Sequence, residues 1–347
     1  MIPNEFVLAT KKISRPTDFE EDYIDLIDHV IGRGTRKENR TGIGTISNFG
    51  GNHLWHSTMN GNYMDRQTAK ALGYNESDEL DSQMIVASMP LLTYRPIQFR
   101  IAWYETLMFL LGETNTKFLE ERNIKIWKGN TSREFLDARG LSNLEEGDMG
   151  KGYGHQWREF DDRADQLADT IQNMIDDPYS RRHLVSAWNP NQLDEMALPP
   201  CHLLYQFNVR PTSFAKEVDI QFYMRSSDLV FGLPFNMVSY TIINVLVCSY
   251  LEYVTGENWI AKETHYVSGD AHVYKNQLDY FEEYMQRAVD DVLILREEAC
   301  PLLVLPRFQN KEKLQFDSFL RKILDTGFQL VYKPYPNLET PRPPMAV

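Results

Sequence analysis

The chain has 347 residues, a formal net charge of −13, and 42% hydrophobic and 24% charged residues. That length allows one large domain or two ordinary ones, and the acidic balance argues against nucleic acid as the main partner, because binding a phosphate backbone needs a net basic face. No apolar run reaches the length of a membrane span, the start (Met1-Ile2-Pro3-Asn4-Glu5) lacks the regions of a secretory signal, and three widely spaced cysteines fit a reducing, cytoplasmic setting without a disulfide framework.

Residues 1–16 read as an irregular lead-in. Thr17-Asp18-Phe19-Glu20 reads as a capping box, followed by Tyr23, Leu26, Ile27, Val30 and Ile31 at helical spacing. Gly32 and Gly34 suit the helix end. A polar loop from Arg36 to Gly42 leads into strand-like alternation through Phe49. Residues 50–86 are polar and rich in Asn, Asp and Gly, and read as a surface insertion. His53 and His56 lie there without further ligands, so no metal site is expected.

Residues 97–111 form a strongly apolar helical stretch ending at Gly112, with Glu105 among Trp103, Tyr104, Leu107, Met108 and Phe109. A carboxyl so placed either faces solvent or is buried with a raised pKa; apolar neighbours on all sides favour burial. A further helix is expected over 165–175, and strands over 183–188, 203–210 and 217–226. A long apolar helix runs from Pro234 to Tyr253, with Cys248 inside it. Cys248 and Cys300 read as packing. With no repeats or linker, the expectation is one α+β domain over 1–347.

The remaining cysteine is different. Met196-Ala197-Leu198-Pro199-Pro200-Cys201-His202 sets it after two prolines, which fix the backbone and remove donors, so the loop is rigid. Cys201 is therefore a candidate nucleophile, although most reduced cysteines are small buried hydrophobes. Four other segments stand out: Ser180-Arg181-Arg182 before a strand, Met224-Arg225-Ser226-Ser227-Asp228 ending one, Gly232-Leu233-Pro234-Phe235-Asn236 opening the long helix, and Gly269-Asp270-Ala271-His272-Val273-Tyr274.

Together with Arg40-Thr41-Gly42, Glu105, Ile126-Trp127 and Tyr153-Gly154-His155-Gln156-Trp157, these occur in an order that resembles the thymidylate synthase family, which includes the pyrimidine hydroxymethylases. The resemblance covers roughly residues 20–290, with a weaker match in the tail, and the closing Met345-Ala346-Val347 is similar to the family's terminus. It implies a thymidylate synthase-like fold, with a mixed β-sheet packed by helices and one sheet face forming a homodimer interface. It also implies dUMP as substrate and 5,10-methylenetetrahydrofolate as cosubstrate. Arg40, Arg225 and Ser226 are implied to hold the nucleotide phosphate from one subunit, and Arg181 and Arg182 from the other; clustered guanidiniums suit a dianion. Cys201 is implied to add to C6 of the base with Arg225 beside it, Glu105 to move protons, and Tyr153 to help remove the C5 proton. His202 is implied near the base, His272 and Tyr274 at the sugar. Trp127, Asp228, Gly232, Phe235 and Val347 are implied around the folate. Asn236 fits uracil, because a carboxamide can match both N3–H and O4.

Two products follow from this resemblance. A synthase transfers hydride and gives dTMP; a hydroxymethylase lets water add and gives 5-hydroxymethyl-dUMP. Where synthases carry Trp-Asp-x-Trp, this chain has Trp127-Lys128-Gly129-Asn130, and Met224 stands where glutamine is common. The tail segment Tyr332-Lys333-Pro334-Tyr335 also departs from the synthase pattern. These departures place a dUMP hydroxymethylase first, of the kind used to modify phage DNA in a host cytoplasm. Thymidylate synthase is the alternative, and a non-catalytic nucleotide- or RNA-binding homologue a third reading.

Overall fold

A computed structural model describes residues 17–39, 42–58, 60–65, 83–95, 97–292, 301–308 and 314–331. Helix α1 (Thr17–Arg33) buries Tyr23, Ile27 and Val30, following the spacing in the sequence. It ends where the Gly34 N–H meets the Val30 carbonyl at 2.8 Å. A Cβ at Gly34 would lie 2.4 Å from that oxygen, so the close approach requires glycine. Glu20, expected in a capping box with Thr17, has partners far along the chain. Its carboxylate accepts the backbone N–H groups of Thr93 and Tyr94 and the hydroxyls of Thr93 and Tyr284.

Strands β1 (Thr35–Lys37), β2 (Thr45–Ser57), β3 (Asn60–Asp65) and β4 (Gln83–Ser88) come next. β2 continues past Phe49 because Gly50 and Gly51, both at positive φ, form a bulge, after which pairing resumes at Asn52. The stretch 50–86 therefore begins inside a sheet; residues 59 and 66–82 of it lie outside the described residues. Helices α2 (Phe99–Leu110), α3 (Lys117–Glu120), α4 (Arg133–Ala138), α5 (Tyr153–Arg158) and α6 (Gln166–Asp176) follow. α2 ends near Gly112 at φ +75°. Asp165 caps α6, its carboxylate accepting the Ala168 N–H at 2.9 Å.

The rest of the chain is β5 (Leu184–Ser186), β6 (His202–Pro211), β7 (Lys216–Asp228), α7 (Gly232–Thr255), β8 (Trp259–Tyr274), α8 (Leu278–Val292), β9 (Leu302–Pro306), α9 (Phe316–Thr326) and β10 (Gln329–Val331). The larger sheet has the order β1-β2-β8-β7-β6-β5, and the smaller β10-β9-β4-β3. In the larger one only β7 and β8 pair in parallel. The architecture is the expected α+β fold, a mixed sheet packed by helices.

A parallel pair needs a long crossover, and α7 supplies it. This helix is long and apolar enough to cross a membrane by length and composition, but it is buried inside the fold. Residues are buried around its whole circumference, as befits a central helix. Val218, Ile220, Phe222 and Met224 of β7 are buried on one face, and Phe222 stacks on Tyr240 of α7 with ring centroids 3.9 Å apart. Each such burial contributes about 2 kcal/mol. A one-residue slip would turn all four outward, so the core fixes the register. That register sets Ser226 opposite Asp270 and Asp228 opposite His272.

Candidate active site

The C-terminal ends of a parallel strand pair form a crevice where the connecting helix begins. Here that crevice collects Arg225, Ser226 and Asp228 from β7, His272 and Tyr274 from β8, and Gly232, Phe235 and Asn236 from the first turns of α7. β6 runs antiparallel to β7, so its first residue, His202, pairs with Met224. Cys201 is thereby delivered to the same end of the sheet.

Arg225 organises the cysteine loop. Its Nε donates to the Pro200 carbonyl at 2.8 Å and one Nη to the Pro199 carbonyl at 3.0 Å. That same Nη lies 3.9 Å from Cys201 Sγ. The Arg225 N–H also donates to the Cys201 carbonyl at 3.0 Å. The two prolines offer carbonyls but no N–H groups, and the guanidinium uses them. Five guanidinium N–H groups are available, so donors remain for a ligand. On the other side, the Cys201 N–H donates to the Tyr153 hydroxyl at 2.8 Å.

Tyr153 is buried at the start of α5, and its ring lies 6.3 Å from that of Trp127. Trp127 Nε1 donates to Glu105 Oε1 at 2.7 Å. Burial pushes the Glu105 carboxyl up to about 7, opposed by that indole hydrogen bond. Glu105 itself is half-buried, and the apolar surroundings desolvate its carboxyl, one of the two outcomes the residue pattern allowed. Tyr153 and Trp127 thus link the Cys201 backbone N–H to the Glu105 carboxyl.

His202 sits between the rings of Tyr153 and Tyr240, at 5.1 and 5.6 Å. Its Nδ1 is 3.3 Å from the Tyr240 hydroxyl. Burial pushes its pKa down to about 4, against a hydrogen bond with the Asn236 side chain. The imidazole is therefore neutral near pH 7. Asn236 Nδ2 donates to Met224 Sδ at 3.3 Å.

Asp228 Oδ1 accepts the N–H groups of Val230 and Phe231, and Oδ2 accepts Gln277 Nε2 at 3.0 Å. Burial raises its pKa. His272 Nδ1 lies 3.1 Å from Asp270 Oδ1, and Lys37 reaches the other Asp270 oxygen at 3.2 Å. The His272 and Tyr274 rings meet edge to face at 5.1 Å.

Arg181 and Arg182 are exposed on the loop before β5. Leu184 pairs with Gln206, so the arginines lie far along β6 from Cys201, about 20 Å away at ~3.3 Å per residue. Their guanidiniums make no ion pair with the described residues. The structure of one chain thus brings together every expected site residue except these two, Arg40 and Val347. The last two lie outside the described residues, as does Cys300. Cys248, read as packing, is buried on α7 with Sγ 3.7 Å from Asn244 Oδ1.

Sequence reasoning missed Tyr240, Asp270, Gln277 and the contact made by Met224. Tyr240 stands four residues after Asn236, one helical turn on, and that spacing could have found it. Gln277 follows closely on Tyr274, but only the turn after β8 aims it at Asp228.

A family model described as thymidylate synthase matches residues 21–319. The chain is 37% identical over 284 residues to a protein of Encephalitozoon cuniculi named thymidylate synthase 1/2, covering 78% of this chain and 84% of that one. To the thymidylate synthase of Ascaris suum it is 36% identical over 280 residues, covering 77% and 83%. To a bifunctional dihydrofolate reductase-thymidylate synthase of Zea mays it is 34% identical over 333 residues, covering 92% and 54%. The chain spans about half the length of such bifunctional relatives.

Proposed function

We propose, from the premise that this chain belongs to the thymidylate synthase family, that it converts dUMP to dTMP by reductive methylation with 5,10-methylenetetrahydrofolate. The observation that carries the reading is the contact line from Cys201, beside the Arg225 guanidinium, through Tyr153 and Trp127 to a Glu105 carboxyl titrating near neutrality.

Cys201 adds as a thiolate to C6 of the base, which makes C5 nucleophilic, and it leaves when the product is complete. A cation beside the sulfur favours that thiolate. Arg225 carries two duties, holding the proline loop and, with its remaining N–H groups, meeting the phosphate together with Arg40 and Ser226. Glu105 exchanges protons near pH 7, where a group of that pKa is most effective. Tyr153 holds the cysteine backbone and orders the water that removes the C5 proton. His272 and Tyr274 face the sugar.

The folate, when bound, supplies the one-carbon unit and the hydride and leaves as dihydrofolate. The residues present fit a flat heterocycle. Trp127 and Phe235 are half-buried, and Phe235 lies 6.0 Å from Phe231. Asp228 keeps one acceptor position on Oδ2 after its three hydrogen bonds.

Hydroxymethylation of dUMP is the second reading, supported by Lys128-Gly129-Asn130 and Met224. The first segment is a single 3-10 turn whose Lys128 and Gly129 are exposed, while the indole beside Glu105 is kept. The departure is thus peripheral to the acid, and the named relatives are synthases, which places methylation first. The active unit is a homodimer. Phe49 and Trp55 of β2, in the larger sheet, are 76% and 42% exposed, and Arg181 and Arg182 stand away from their own cysteine, free to serve the partner's phosphate site.

The test is to mix the protein with dUMP and methylenetetrahydrofolate, follow dihydrofolate by absorbance, and identify the nucleotide by mass spectrometry. Stoichiometric dihydrofolate and dTMP are expected. 5-Hydroxymethyl-dUMP without dihydrofolate establishes the second reading instead. Failure to trap 5-fluoro-dUMP covalently on Cys201 overturns both in favour of a binding homologue.

A further inference from the structure

A carboxamide does not by itself distinguish uracil from cytosine. Its edge offers one acceptor and one donor, and a half-turn about the last side-chain bond exchanges them. In one orientation Asn236 matches N3–H and O4 of uracil; in the other it matches N3 and the amino group of cytosine. Discrimination therefore depends on what holds the amide against that flip.

We propose that Met224 is a specificity-positioning residue, whose thioether sulfur holds the Asn236 carboxamide in the uracil-reading orientation. The inference rests on the dUMP reading above and deepens it. Met224 Sδ lies 3.3 Å from Asn236 Nδ2. A thioether has no proton to give, so it accepts from the NH2 group and repels the carbonyl oxygen. Met224 is 3% exposed on β7, and its strand position is fixed by pairing with His202 and Ser268. The sulfur is thus a buried acceptor held against the amide.

The second grip comes from His202. Its ring also hydrogen-bonds the Asn236 side chain; a neutral imidazole that offers its N–H there pairs with the amide oxygen. The other ring nitrogen, Nδ1, then accepts the Tyr240 hydroxyl at 3.3 Å. One neutral tautomer satisfies both contacts. The amide is held by an acceptor on its nitrogen side and a donor on its oxygen side. One N–H and one oxygen lone pair remain for the base, the donor and the acceptor that uracil O4 and N3–H need. A glutamine at position 224 can accept through its own carbonyl, whereas a leucine cannot.

The test compares dUMP and dCMP binding by titration calorimetry on the full chain and on its Met224→Leu and Met224→Gln variants. Neither measurement needs folate or turnover. Losing one hydrogen bond of this kind changes a ratio about fivefold. Met224→Leu is expected to lower the dUMP-to-dCMP affinity ratio by about that factor, and Met224→Gln to restore it. A merely structural role would weaken both nucleotides together and leave the ratio unchanged. A ratio within twofold of the parent's in folded Met224→Leu overturns the proposal. Should that variant not fold, a Met224→Gln variant that folds but loses the ratio overturns it equally. If the parent itself shows no preference for dUMP, the substrate reading fails, and that outcome is separate from any effect of Met224.

Discussion

Glu105 owes its near-neutral pKa to two opposed effects, and one of them can be removed by a single substitution. Burial raises the carboxyl to about 7; the Trp127 indole, donating to the charged form, lowers it. Trp127→Phe deletes only the lowering effect, so the pKa rises further. In a pH–rate profile of kcat/KM, the limb assigned to Glu105 is expected to move to higher pH in that variant. A limb that stays in place or moves down contradicts the assignment. The same group has a stability consequence of known sign. Its folded pKa stands above the unfolded value of 4.5, so the charged form is disfavoured by folding. The destabilisation is absent below about pH 4.5, grows through the window to about 7, and is complete above it, with an upper bound on the order of 3 kcal/mol. Glu105→Gln is expected to flatten that part of the pH dependence, read from urea midpoints at pH 5 and pH 8. A parallel pH dependence in parent and variant contradicts it. The apolar neighbours of Glu105 made its burial legible in the sequence. Its partner was not, because Trp127 lies on a separate turn and nothing local aims the indole.

At the scale of elements, the long helices and the strands of the parallel pair were legible because burial imposes their periods. Val218, Ile220 and Phe222 showed the period of two that β7 displays, and the apolar run from Pro234 to Tyr253 falls within α7. Local rules say nothing of a side chain that serves a distant segment. Thr17-x-x-Glu20 has the form of a capping box, and the Glu20 carboxylate also holds α8 and the loop before α2. Glu20 is 2% exposed, and burial raises its pKa even against several hydrogen bonds. Glu20→Ala leaves the N–H groups of Thr93 and Tyr94 and the Tyr284 hydroxyl without that acceptor, at a cost on the order of 3–5 kcal/mol. Urea unfolding would report this as a lower midpoint with an unchanged slope. A loss under 1 kcal/mol would return Glu20 to a purely local role. β2 illustrates a different limit. Its alternation breaks at Gly50 and Gly51, and only the pairing with β8 shows that the bulge continues one strand.

The scale of the whole molecule decides whether one chain suffices for the reaction. Arg181 and Arg182 are exposed at the edge strand, and the β5–β6 register keeps them remote from the Cys201 of their own chain. Only the family resemblance, and no residue pattern by itself, separated a phosphate ligand in the same chain from one donated across an interface, because the distinction is created by packing between copies. Symmetry makes it testable. In a twofold dimer each site would combine the cysteine of one subunit with the arginines of the other. Cys201→Ala chains and Arg181→Ala/Arg182→Ala chains are each expected to be nearly inactive alone. When the two are refolded together in equal amounts, half of the dimers are mixed, and each mixed dimer holds one site with both an intact cysteine and intact arginines. Activity should therefore return to about a quarter of the parent's. If the arginines served the cysteine of their own chain, every site in the mixture would lack one component or the other, and no activity would return even where mass spectrometry shows that mixed dimers have formed.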